Sequence, residues 1–181
     1  MNTDQRSKKM VVVINCVLNH NARDSGWAKY PGINYEVVDI LNKHGAGAIQ
    51  MPCPEMTLLG LLRKRETGES IRTALDTPTG RSRCEELSYS VVETIEEFQR
   101  NGYAVVAILG GDVESPGCAV PAPASETGDQ MPGSGFGVFT KALLEELYRR
   151  GIRIPIRGIR DSARETLTED LKWLNEILAR P

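Results

Sequence analysis

Met10-Val-Val-Val-Ile-Asn-Cys16 is an apolar run of strand composition. A polar stretch, Asn19 to Gly32, follows it. Next comes a helical stripe of Val37, Val38, Ile40 and Leu41, closed by Gly45 in the manner of a helix C-cap. A second apolar run, Ala46-Gly-Ala-Ile-Gln-Met-Pro-Cys53, then begins. Strand, helix and strand in that order specify a parallel pair joined by a crossover. The pattern repeats. A predicted helix over residues 82–100 leads into Tyr103-Ala-Val-Val-Ala-Ile-Leu109 and Gly110-Gly111. A helix over 137–150, a short strand over 153–159 and an amphipathic helix over 163–179 complete the chain. Pro155 confines the last strand to a sheet edge. The predicted fold is α/β: a three-layer, open, mostly parallel sheet with helices on both faces. Its ligand site belongs at the C-terminal edge of the strands. Residues 63–81 read as a basic, polar loop, and residues 112–135 as a long loop rich in Pro, Gly and Ser.

With 181 residues, the chain has the length of one domain. Residues 1–9 read as a flexible polar N-terminus and 10–181 as a single α/β domain. The formal net charge of -2 gives no basic surface for a nucleic acid polymer. The first apolar run is only about five residues, too short for a signal core or a membrane span. A soluble, cytoplasmic protein is expected, without membrane partners. Nothing in the sequence sets an oligomeric state.

In a reducing compartment, four cysteines read first as free thiols, ligands or catalysts. None forms a Cys-x-x-Cys pair. Cys84 shares a helical face with Leu87, Val91, Ile95 and Phe98, so it reads as core. Cys16, Cys53 and Cys118 differ, because each ends a strand or follows one closely. An open parallel sheet brings such positions to one edge. Three thiolates with no obvious fourth ligand suit an open metal site, either a catalytic zinc or a 4Fe-4S cluster with one free iron. His44 sits at a helix C-terminus and reads as structural, while His20 is near enough to Cys16 in sequence to reach the site.

Met51-Pro-Cys53-Pro-Glu55 and Glu114-Ser-Pro-Gly-Cys118, after an early strand-end cysteine, resemble the thiouracil desulfurase (desulfidase) family. Gly133-Ser-Gly-Phe-Gly-Val-Phe-Thr140, running into a helix, fits the same pattern. The resemblance covers roughly residues 10 to 160. It implies a 4Fe-4S cluster held by Cys16, Cys53 and Cys118, whose free iron binds the sulfur of a thiolated pyrimidine. It also implies an enzyme that replaces this sulfur by oxygen without redox change, releasing sulfide from a thiouracil or a thiouridine nucleotide. The loop after Cys16, with Arg23-Asp-Ser-Gly26 and Lys29-Tyr-Pro-Gly32, departs from the family's usual loop and points to a related subgroup.

By position, Glu55 is the leading general acid or base. Its alternative is a first-turn helix carboxylate. Ser115 could bond to substrate or orient water, or serve as a turn serine before proline. Asp112 and Glu114 are further acids at the same edge. Ser134 and Gly135, ahead of a helix N-terminus, are candidate substrate contacts, because free amides there attract carbonyl or phosphate oxygens. Arg63, Lys64, Arg65 and Arg72 read as a solvated loop or a cover for an anionic substrate. Trp27 and Tyr30 are available to stack on a base. Zinc with its bound water, giving a hydrolase, and a non-catalytic metal-binding or redox-sensing domain are the alternatives to the desulfurase reading.

Overall fold

Val11, Val12 and Val13 are fully buried because their strand has a neighbour on each side and a helical layer on each face. The computed structural model describes residues 3–121 and 127–180; residues 122–126 of the expected long loop lie outside them. Among the described residues four strands, β1 (Lys9–Ile14), β2 (Gly47–Met51), β3 (Ala104–Gly110) and β4 (Ile156–Gly158), form one sheet in the order β2-β1-β3-β4. Every pairing is parallel. The helices are α1 (Asn15–Leu18), α2 (Tyr35–Lys43), α3 (Pro54–Leu59), α4 (Ile71–Leu75), α5 (Pro78–Arg100), α6 (Val138–Arg149) and α7 (Arg164–Ala179).

From β1 the chain first crosses to β2 on one side, then returns past β1 to β3 and β4. Right-handed crossovers then put α2 on one face and α5 with α6 on the other. α7 packs against α2, completing three layers, as the sequence pattern predicts. The change of direction lies between β1 and β3, so their C-terminal ends flank the crevice that such sheets use for ligands.

Several boundaries differ from expectation, each for a local reason. β1 ends at Ile14, so Cys16 does not close the strand but sits in the short helix α1. β2 ends at Met51, because Pro52 has no amide to give the ladder. Residues 63–81 are not one loop: Ser70 caps α4, and Thr77, with Pro78 at the first helical position, starts α5 four residues earlier than expected. β4 is reduced to three residues after Pro155, on the expected edge. At the other end of the chain, β1 already begins at Lys9, and the Ser7 hydroxyl donates to the Gly45 carbonyl at 2.6 Å.

Gly137 caps α6 in backbone contact with Gly117, where an added Cβ would overlap the Gly117 carbonyl. Gly137→Ala should therefore cost about 3 kcal/mol through overpacking. Gly151→Ala meets open space and only a positive φ, and should cost about 1 kcal/mol. Urea midpoints of the two variants check the difference.

Candidate metal and thiol site

Register brings the site together. Ile14 pairs with Met51, and Cys16 and Cys53 each lie two residues beyond that pair. From the end of β3 the chain turns through residues 112–118 and comes back. Gly111 donates to the Cys118 carbonyl at 2.7 Å and forms a bridge with Ala119. Cys118 is thereby returned to the end of β3. The three thiols meet closely enough for their charges to interact. Burial pushes the Cys16 thiol up to about 11, with Cys53 adding to the rise and Arg23 opposing it. Cys118 is raised well above an ordinary thiol by burial, then by Cys53 and Cys16, with Glu55 and the core thiol Cys84 adding to the rise. Cys53 is raised by burial, against the Met56 amide and Arg63. Without a metal, these groups are neutral thiols at pH 7.

Two arginines, Arg63 buried and Arg23 half-buried, serve this edge. The Arg23 guanidinium holds Asp161 with both arms, at 2.9 and 2.7 Å, and also interacts with the Cys16 thiol. Arg63 donates to Glu55 Oε2 at 3.2 Å and reaches Cys53 Sγ at 3.6 Å. Neither role is apparent in the sequence. Arg63 belongs to a basic cluster of solvated appearance, yet it is 2% exposed. Lys64, Arg65 and Arg72 remain exposed, with Arg72 donating to the Phe136 carbonyl.

The other candidates fall into place individually. Cys53 caps α3, its sulfur accepting from Met56 N at 3.4 Å, and Glu55 is a first-turn carboxylate of that helix beside the site. Ser115 Oγ accepts from Cys118 N at 3.2 Å, which fixes the turn holding Cys118. Asp112 accepts from Ser162, while Glu114 points to solvent. Tyr30 packs edge-on against His20 and donates to Glu36 at 2.6 Å; Trp27 is half exposed. His44 bonds to Asn175, in keeping with a structural role. Cys84 is buried in the core, as its helical spacing predicts.

Ser134 and Gly135 lie exposed on the loop before α6. The expected free amides behind them are absent. Val138 donates to Pro116 O, Phe139 and Thr140 to Gly117 O, and Gly137 to Ala119 O. The returning Cys118 loop occupies the helix end, so any contact from Ser134 or Gly135 comes from the loop alone.

The donor set suits a soft metal group. Among the described residues no three His, Cys, Asp or Glu side chains form a group spaced around a single ion. Thiolates on separate irons of one cluster need no such closeness. Among the described residues, five buried side-chain polar atoms lack a hydrogen-bond partner, and four of them belong to residues 15–34: Asn15 Nδ2, Arg23 Nε, Asn34 Nδ2, and His20 Nε2, which lies 3.6 Å from Asp161 Oδ2. Lys29 N donates to His20 Nδ1, which leaves the proton on Nε2. That proton faces the Asp161 carboxylate.

Fold and site together define a doubly wound α/β domain with three thiols at its switch point. An uncharacterized protein of Methanocaldococcus jannaschii, MJ0003, is similar to this chain, with 32% identity over 103 residues. The match takes in 57% of this chain and 64% of that protein's length. No family model matches the chain, and no solved structure matches it. No helix among the described residues is long and apolar enough to cross a membrane.

His20 gives a pH test of this packing. Burial, aided by Arg23 and opposed by Asp161, lowers its pKa from 6.5 to about 4. Between those values the unfolded chain binds a proton that the folded chain refuses. Stability should fall by up to about 3 kcal/mol as pH drops through that window. His20→Gln should flatten the dependence, as read from urea midpoints at about pH 7 and about pH 4.5.

Proposed function

We propose that this chain is an iron–sulfur-dependent, non-redox desulfidase related to the thiouracil desulfurases. Its substrate is a small thiolated pyrimidine, a thiouracil or thiouridine nucleotide, in the cytoplasm. The observation that carries this reading is the delivery of Cys16, Cys53 and Cys118 to one sheet edge by the strand register and the returning loop. A 4Fe-4S cluster held by these three thiolates supplies one open iron, a Lewis acid with affinity for the thiocarbonyl sulfur.

The chain's own groups do the rest. Glu55, fixed by Arg63, takes a proton from the attacking water and returns it to the departing sulfide. The Ser115 hydroxyl accepts from the Cys118 amide, which leaves its own proton to donate to the substrate. The reaction converts a thiocarbonyl and water into a carbonyl and hydrogen sulfide, and no electrons are exchanged. Because the buried thiols are neutral when free, loading the site releases protons and weakens as pH falls.

Protein purified without oxygen should be brown, carry about four irons per chain and release sulfide from a thiopyrimidine. Single serine variants of Cys16, Cys53 and Cys118 should lose the iron, while Cys84→Ser retains it. Glu55→Gln should keep the iron and lower kcat by about 100-fold or more. A colourless anaerobic preparation with one zinc would replace this reading by the zinc hydrolase. A loaded protein inert to every thiopyrimidine would replace it by a metal-binding or redox-sensing role.

A further inference from the structure

We propose that Arg63 is the positioning residue of this site: its buried guanidinium sets the Glu55 carboxylate and the Cys53 sulfur against the loop that follows Cys16. The catalytic consequence rests on the desulfidase reading; the geometry does not.

The guanidinium is used from every side. Nε donates to Glu55 Oε2 at 3.2 Å. Nη1 donates to the carbonyls of Gly60 and Leu61, at 3.2 and 3.0 Å. Nη2 donates to the Ala22 carbonyl at 2.5 Å and lies 3.6 Å from Cys53 Sγ. Its side chain is 1% exposed and that of Glu55 12% exposed. The backbone of Arg63 holds φ at 49°, a left-handed conformation uncommon outside glycine. A planar fork with five donors can satisfy such a set; a lysine, as a point donor, cannot.

Closing the turn after α3 does not by itself call for a charge. The carbonyls of residues 22, 60 and 61 could be met by a neutral donor or by water, whereas a buried cation carries a desolvation cost that needs an anion opposite. That anion is Glu55, and the same fork reaches the sulfur two residues before it. Arg63 therefore joins three parts of the site: the candidate proton carrier, one candidate ligand, and the Ala22 stretch that follows Cys16. Its action is indirect. It fixes the Glu55 oxygen that accepts its Nε proton, and it gives Cys53 a charged donor beside the Met56 amide. Hydrogen bonds to ligating sulfurs set the potential of an iron–sulfur centre, so the second effect has its own readout.

The test compares Arg63→Met, Arg63→Lys, Glu55→Gln and the Glu55→Gln/Arg63→Met double variant. In the metal-free protein, amide exchange of residues 20–24 and 55–60 should quicken by about 10-fold in Arg63→Met, with the cooperative melt retained. In the loaded protein, kcat should drop by about 100-fold with KM changed by less than about threefold. Arg63→Lys should recover part of kcat, and the cluster potential should fall in Arg63→Met. In the Glu55→Gln background, Arg63→Met should lower kcat by less than about threefold further, because both changes remove one function. Fully additive losses in kcat, or exchange unchanged in both segments, would overturn the proposal, as would quickened exchange with unaltered kcat and potential. If Arg63→Met does not fold, Arg63→Lys decides by the same exchange, kcat and potential measurements. If the wild-type protein releases no sulfide, the desulfidase reading fails alone, and exchange with cluster potential still judges Arg63.

Discussion

The hydrogen-bond ladders on both sides of β1 are the constraint from which the rest follows. Ile14 is level with Met51 on one side and Val13 with Leu109 on the other. The chain therefore leaves β1, β2 and β3 at one height, and whatever comes next in each connection is delivered to the same place. Because β2 and β3 lie on opposite sides of β1, their crossovers diverge over opposite faces, and an opening is left between them. Slipping either ladder would separate Cys16 from its partners and also move the valines that anchor the core. The geometry of the thiols is thus specified by the same contacts that specify the fold.

Charge at this edge follows one rule. Each of the two arginines has a carboxylate partner and a nearby sulfur: half-buried Arg23 with Asp161 and Cys16, buried Arg63 with Glu55 and Cys53. A buried ion pair contributes little net stability compared with apolar packing, but removing one member strands the other at a cost of about 3–5 kcal/mol. The pairs therefore act chiefly to fix position. They also make the edge tolerant of negative charge, because guanidinium donors already lie beside the Cys16 and Cys53 sulfurs.

The strands, and the edge at which Cys16, Cys53 and Cys118 emerge, were legible in the sequence because apolar runs ending in Gly, Pro or Cys carry local signals of their own. Cys84 was separable from the other cysteines by helical spacing alone. The early start of α5 was also written there, in Thr77 followed by Pro78. What was hidden depends on distant partners. Arg63 turns inward to a carbonyl 41 residues away, and Arg23 pairs with a carboxylate 138 residues away. A basic run by composition gives no hint of either. The occupied end of α6 was equally illegible, since it exists only because the chain turns back after β3 and lays Pro116 and Gly117 across the first amides of the helix.

That same seating fixes how the three sulfurs relate mechanically. Pro116 and Gly117 are bonded to α6, which lies along α5, while Cys118 and Val120 are bonded to Gly111 at the end of β3, so the Cys118 loop is tied to helix and sheet at once. Cys16 and Cys53 are carried by the sheet, at the mouths of β1 and β2. Cys118 therefore keeps its height at the sheet edge through Gly111, while the loop before it is clamped by the helix. A change in the spacing of the two layers would be taken up in Pro116 and Gly117, between those anchors, and would leave all three sulfurs in the frame of one sheet.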